Sequence, residues 1–423
     1  MKKLHVIYAG WGECWKLGTL ADTGQRILFE YAPEARQQGL ELSPLHAPLN
    51  HVGAISGQPF FMGLPGLIAD ALPDGWGLLL MDRTFRRAGR KPEEISPLDR
   101  LALVGERAMG ALTFEPADEI SPAQDELDLE QLARETAMVL ADQQDTDADQ
   151  ALLHLLQLGG SPQGARPKVL VNFDSITGKI NCENYPAGGE PWLVKFPASG
   201  ENRDACAIEA LYARLAAHCG LEIPSSRFFD LRGQHSAFGV KRFDRDGHLR
   251  IPLHSLSGAL HIDYRLPTLD YEMLLRLTRR LTGDEREVGK AFERCVFNVL
   301  THNRDDHSRN FAFRLDRRRD WQLAPAFDLT FNEGPRGQHF TTIVGEGMAP
   351  SREHLLELAR RGGIPTQQAK MIMDRLCEGM NALPALAIDL PIRKSRLAAL
   401  RKVLEEDRRR VAGTDQPPKR SKA

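Results

Sequence analysis

The stretch His302-Asn303-Arg304-Asp305-Asp306-His307-Ser308-Arg309-Asn310-Phe311-Ala312-Phe313 decides how this chain is read. Before it, EREVGKAFERCVFNVLTHN carries the apolar spacing of a helix; after it, WQLAPAFDLTF reads as a strand ending at Asp328. Between them, Asp305 is followed by four residues and then Asn310. That spacing suits a carboxylate and an amide oxygen that converge on adjacent points around one phosphate. Asp305 is the candidate for orienting or accepting a hydroxyl proton. Asn310 offers a neutral oxygen to Mg²⁺, a hard cation that takes oxygen ligands. Asp306 and His307 lie inside the loop, placed to meet substrate or phosphate.

Phosphoryl transfer makes further demands: a second metal-holding carboxylate, a lysine on the non-transferred phosphates and a loop that covers them. R-D-x-x-x-x-N is the catalytic-loop spacing of protein kinases, and Arg304 to Asn310 fits it. Asp328, eighteen positions past Asn310, stands where a kinase places its second metal ligand, although Leu329 and Thr330 replace the usual D-F-G. A strand-end aspartate alone is more often structural; its value comes from its partner. Lys195 ends the apolar strand PWLVKFP, where a buried ammonium is costly unless something anionic meets it. Glu209, on the following helix, is one possible partner, and Glu201 and Asp204 compete with it. Ahead of that strand, Gly159 to Lys168 forms a glycine loop. Gly164, Ala165 and Lys168 could cradle phosphate there through backbone N–H groups and an ammonium.

The bulk numbers set bounds. A chain of 423 residues exceeds one ordinary core, so two or three domains are expected. With 42% apolar and 26% charged residues it has the mix of a soluble globular protein. A net charge of −2 gives no whole-chain signal for nucleic acid or an anionic membrane. The six cysteines are scattered singly with no C-x-x-C pair, which fits free thiols in a reducing cytosol. The N-terminal MKKLHVIYAGWGECW is too short and too interrupted in its apolar part for a signal peptide, and no apolar run approaches eighteen residues. A cytoplasmic protein without a membrane partner is the expectation.

Along the chain, composition shifts divide the sequence into 1–118, a small α+β domain; 119–150, an acidic connector carrying one helix; 151–245, a strand-rich lobe with the glycine loop; 246–410, an all-helical lobe with the catalytic loop; and 411–423, a disordered basic tail. The expected fold class is mixed α/β (α+β), a bilobal protein-kinase-like fold preceded by the small N-terminal domain.

Five segments together resemble the HipA-type serine/threonine kinases, toxin components of bacterial type II toxin–antitoxin modules. They are S-x-x-G-A-x-P-K (Ser161 to Lys168), LVKFP (Leu193 to Pro197), KRFDR (Lys241 to Arg245), N-x-D-D-H-x-x-N-F (Asn303 to Phe311) and FDLT (Phe327 to Thr330). The N-terminal segments LGTL, LSPL, FFMGLPGLIADALPD and MGALTFEP are similar to the small domain that precedes the kinase in that family. The resemblance implies ATP and Mg²⁺ as cofactors, Asp305 as the catalytic aspartate, Asn310 and Asp328 as metal ligands and Lys195 as the ATP-contacting lysine. It further implies Lys241, Arg242, Phe243 and Asp244 as the adenine and ribose segment and His307 as a nucleotide contact. Ser161 matches the family's autophosphorylated serine, whose modification expels the loop and silences the kinase. It implies an aminoacyl-tRNA synthetase as substrate, growth arrest and persistence as the outcome, and a HipB-like helix-turn-helix antitoxin as partner, with DNA reached through that antitoxin. Two other readings compete: an antitoxin-bound corepressor with vestigial catalysis, and a kinase of a lipid or small-molecule acceptor.

Overall fold

A computed structural model describes residues 1–118, 126–143, 145–160, 162–182, 189–232 and 235–414. Chain contacts divide it into two units. The first comprises Met1–Cys206, Pro224–Asp263 and Ala312–Trp321; the second comprises Ala207–Ile223, Tyr264–Phe311 and Gln322–Ala423.

The first unit is built mainly on two antiparallel sheets; smaller antiparallel ladders pair Arg245–Asp246 with Leu249–Arg250 and Leu253–Ser255 with Ala312–Leu315, so the stretch 246–410 is not all-helical as its helix signals suggested. In the N-terminal sheet, β1 (Lys2–Tyr8), β2 (Trp15–Asp22), β3 (Ile27–Tyr31), β4 (Ile55–Ser56) and β5 (Leu112–Glu115) lie in the order β4-β3-β2-β1-β5. The alternation in LHVIY and ILFEY buries Leu4, Val6, Phe29 and Tyr31. Gly18 in β2 has a fixed role, because a Cβ there would sit 2.4 Å from the Glu30 carbonyl oxygen and from the Phe29 ring.

The second sheet contains β6 (Glu126–Leu127), β7 (Lys168–Phe173), β8 (Ile180–Cys182), β9 (Glu190–Lys195), β10 (Ser226–Asp230) and β11 (Ser236–Lys241), in the order β10-β11-β9-β7-β8-β6. One apolar core joins both sheets, taking Leu20, Phe114 and Ile68 from one side and Val169, Val171, Phe173 and Val194 from the other. Each such buried side chain contributes about 1.5–3 kcal/mol. Ser43, His254 and Asp70 line up inside this unit like a hydrolytic triad, with Ser43 Oγ 3.0 Å from His254 Nε2 and His254 Nδ1 2.7 Å from Asp70 Oδ2. Ser43 and His254 are buried, so the trio ties chain segments together and no substrate reaches it.

The acidic region carries the helix Leu129–Leu140, and the next helix, Thr146–Gly159, starts within it and runs up to the glycine loop. The aspartates start them: Asp128 accepts from the Glu130 N–H and Asp145 from the Ala148 N–H. Asp142 and Asp149 pair with Arg83 and Arg87 of helix Gly75–Arg87.

The second unit is mainly helical: Tyr271–Thr282, Glu285–Leu300, Arg352–Arg361, Thr366–Gly379 and Lys394–Ala412. It also carries a two-residue parallel ladder between Leu269–Asp270 and Thr341–Thr342. Leu274, Phe292, Val296, Phe297, Leu376 and Leu404 are among its buried side chains. No helix of the described residues is long and apolar enough to cross a membrane.

Candidate functional site

In the strand-rich unit, antiparallel register places Lys168 of β7 directly opposite Lys195 of β9. Directly opposed residues share a sheet face, and both lysines are buried, 2% and 7% exposed. Two ammonium groups held this way make a strongly positive point that calls for anionic or carbonyl partners. Lys168 Nζ donates to the Gln163 carbonyl within the glycine loop.

That loop is gripped by the N-terminal segment. Gln163 Nε2 donates to the Asp70 carbonyl at 3.3 Å, the Gly164 N–H donates to the Asp74 carboxylate, and the Trp76 N–H donates to the Gly164 carbonyl at 3.2 Å. Trp76 Nε1 donates to the Lys168 carbonyl at 3.2 Å. Gly75 must be glycine here, since a Cβ would lie 2.6 Å from Ala165 Cα. Pro-Asp-Gly is thus more than a break between helices Gly66–Ala69 and Gly75–Arg87; it holds the loop. Gly164, Ala165, Lys168 and Lys195 are brought together, while Ser161 lies outside the described residues. Glu201 pairs with Arg166 at 2.7 Å.

Lys241 ends β11, where it faces Trp192 in register and pairs with Glu190 at 2.5 Å. It stands three ladder positions along from Lys195, about 10 Å at the strand rise. Phe243 follows, half-buried. Asp244 is fully enclosed: Arg242 Nε and Nη2 donate to it at 2.9 and 2.7 Å, Arg245 Nη1 at 2.6 Å and the Gly110 N–H at 2.8 Å. Burial works to raise its pKa, yet the two guanidinium groups outweigh burial and hold the carboxyl well below the ordinary range. Its carboxylate thus faces protein donors, including one from the N-terminal region.

In the helical unit, helix Glu285–Leu300 ends where His302 takes a positive φ of 52°. The loop that follows is strapped by backbone bonds: the Arg304 N–H donates to the Asn332 carbonyl at 3.2 Å and the Phe340 N–H to the Arg304 carbonyl at 3.1 Å. Asp305 and Asp306 then point opposite ways, their side chains 42% and 0% exposed. His307 Nδ1 accepts from the Arg309 N–H at 3.3 Å, which assigns the neutral ring's proton to Nε2, 3.9 Å from Asp305 Oδ1. Asn310 Nδ2 donates to the Asp305 carbonyl at 2.7 Å, leaving its Oδ1 as the end available for other contacts. The Arg309 guanidinium lies 4.0 Å over the Tyr264 ring. Asp305, His307 and Asn310 are therefore assembled on one short loop.

Two expectations are corrected here. Asp306 does not face substrate, because its carboxylate is enclosed by Tyr271, His339 and Thr341. The strand before Asp328 stops at Leu323, since Pro325 has no N–H for a ladder. Asp328 instead sits in irregular backbone with φ 56°, a conformation that non-glycine residues adopt at some cost and that recurs at ligand sites. No cluster of three or more His, Cys, Asp or Glu able to hold a metal occurs among the described residues. Asn310 Oδ1 and the Asp328 carboxylate are oxygen donors, the type that a hard cation takes.

The mixed α/β fold, with a lysine-bearing antiparallel sheet and a carboxylate-amide loop after a buried helix, defines a protein with a kinase-like fold. The family profile described as HipA-like C-terminal domain matches residues 160–383, and the HipA N-terminal domain matches residues 9–115. The chain belongs to the HipA family. Its fold matches that of a solved structure of the Shewanella oneidensis MR-1 toxin–antitoxin system HipA, HipB and its operator DNA, with a TM-score of 0.70 over 97% of each chain at 16% identity. A curated Haemophilus influenzae protein named "Putative kinase" is 26% identical over 52% of this chain and 66% of its own length. "Putative kinase Y4mE" of Sinorhizobium fredii is 28% identical over 60% of this chain and 63% of its own length. The chain thus spans just under two thirds of each curated relative.

Proposed function

We propose that this protein is an ATP-dependent serine/threonine kinase of HipA type. The observation that carries the reading is the loop on which Asn310 donates to the Asp305 backbone while the Asp305 carboxylate stays exposed beside His307. Asp305 orients the acceptor hydroxyl for in-line attack on the γ-phosphorus. The new bond joins acceptor oxygen to phosphorus, the bond to the bridging oxygen breaks, ADP leaves, and the hydroxyl proton passes to Asp305 and then to water. Asn310 and Asp328 would hold Mg²⁺, which neutralises charge on the phosphates. Lys168, Lys195 and the Ala165 N–H hold the non-transferred phosphates on a loop that Asp74 fixes through the Gly164 N–H, and His307 makes a nucleotide contact. Lys241 and Phe243 flank the base, with Asp244 anchoring their segment.

In this reading residues 151–245 carry nucleotide and 246–410 carry the catalytic loop. The acceptor is an aminoacyl-tRNA synthetase, Ser161 is the autophosphorylation site, and a HipB-like antitoxin is the partner through which DNA is reached. Purified protein given Mg²⁺ and γ-labelled ATP should label Ser161 or a synthetase. Asp305→Asn should lower transfer about 10²–10⁴-fold with an unchanged melting temperature. Undiminished transfer by Asp305→Asn would remove this assignment.

A further inference from the structure

Asp306 is a carboxylate with no exposed surface, one residue from the group that faces the reaction. Its Oδ2 accepts from the Tyr271 hydroxyl at 2.8 Å and stands 2.8 Å from His339 Nδ1; its Oδ1 accepts from the Thr341 N–H at 3.2 Å. The Thr341 hydroxyl donates to the Asp306 carbonyl. The chain of contacts then returns to the loop. Asn298 Nδ2 donates to the Tyr271 hydroxyl at 2.9 Å, and Asn303 Nδ2 donates to Asn298 Oδ1 at 3.0 Å. The loop is therefore gripped at Asn303 and at Asp306, on either side of Asp305. The grip comes from two helices, Tyr271–Thr282 and Glu285–Leu300, and from the segment 339–341 that follows Asp328 in sequence.

A fold needing only stability at this position would fill it with an apolar side chain, because an ionisable group is expensive to bury. A carboxylate with several donors converging on it instead fixes direction as well as place. Burial and the neighbouring Asp306 also push the Tyr271 hydroxyl pKa well up, so that it remains a donor. We propose that Asp306 and His339 form a positioning pair that aims the Asp305 carboxylate, with Tyr271 and Thr341 completing the brace. This rests on the kinase reading of Asp305, and neither residue of the pair touches substrate.

The test compares Asp306→Asn, His339→Leu and His339→Asn with wild type in steady-state phosphoryl transfer, nucleotide binding and hydrogen exchange. The asparagine amide at 339 reproduces the Nδ1 donor; leucine removes it. Asp306→Asn and His339→Leu should lower kcat on the order of 10²-fold, since a misplacement of about 1 Å costs that much. Nucleotide Kd should stay within about twofold, and His339→Asn should recover most of the rate. Exchange of amides 303–311 should rise in the two damaged variants without nucleotide. If Asp306→Asn does not fold, the His339 pair carries the test alone. Wild-type kcat in His339→Leu, or equal losses in leucine and asparagine variants, would overturn the proposal. Wild-type protein that shows no transfer would instead remove the kinase reading, and the exchange measurement would still decide whether the brace orders the loop.

Discussion

Asp244 in the strand-rich unit and Asp306 in the helical unit are both enclosed carboxylates, and the fold satisfies them differently. Asp244 is met by two arginines and one backbone N–H; the direct partners of Asp306 are a phenol, an imidazole and a threonine. Guanidinium groups bring charge and reach, so the Asp244 cluster ties distant backbone together: Arg245 and Arg250 also donate to the carbonyls of Ala108 and Gly110. Directional donors on a short loop leave little freedom of aim. The first arrangement anchors a segment; the second points a side chain.

That contrast can be broken by removing one charge. Asp244→Asn leaves Arg242 and Arg245 buried beside a neutral amide, and unfolding free energy should fall about 3–5 kcal/mol in denaturant melts. A loss under about 1 kcal/mol would mean that solvent reaches the arginines and that the anchor is not ionic. Asp74→Ala asks whether the glycine loop is held by charge in the same way. It frees the Gly164 N–H, and we expect stability to fall about 1 kcal/mol with the KM for ATP changed several-fold and kcat less affected.

Acid should sharpen the comparison least. Burial, helped by His46 and His254, lowers His261 to about 4, and its Nε2 accepts from the Gly66 N–H at 3.3 Å. The unfolded chain binds this proton more readily, so stability should decline as pH falls from about 6.5 towards 4, by about 1 kcal/mol after allowing for partial exposure. For Asp99, burial raises the pKa, but hydrogen bonds from Arg90, Lys2 and the Ser96 N–H outweigh it and bring the carboxyl to about 2. Its stabilisation is present above the ordinary carboxylate range and lost as pH falls towards 2. His261→Gln should flatten the upper window in pH-dependent melts and leave the lower one. The slope that persists there belongs to His46 and His302, which burial also lowers.

The loop that carries Asp305, His307 and Asn310 was legible as a unit because the three are neighbours in sequence, and a few residues of spacing limit where they can point. Lys195 was legible as a cation at the end of an apolar strand. Asp306 was misread because its partners Tyr271 and Thr341 are each 35 positions away, and nothing local distinguishes an inward aspartate from an outward one. Asp74 was visible only as a helix breaker, since its acceptor role depends on a loop 90 positions later. The length of the strand before Asp328 was overstated because apolar content outweighed one proline.

The sequence by itself determined the longer helices and strands, the two strand lysines and the composition of the loop, because periodicity and short-range spacing act within a few residues. Only the tertiary structure decided which lysine faces which, which aspartate turns inward, and which N-terminal turn grips the glycine loop. Register and burial are set by contacts between segments far apart in the chain, and those contacts choose among side-chain directions that local chemistry leaves equal.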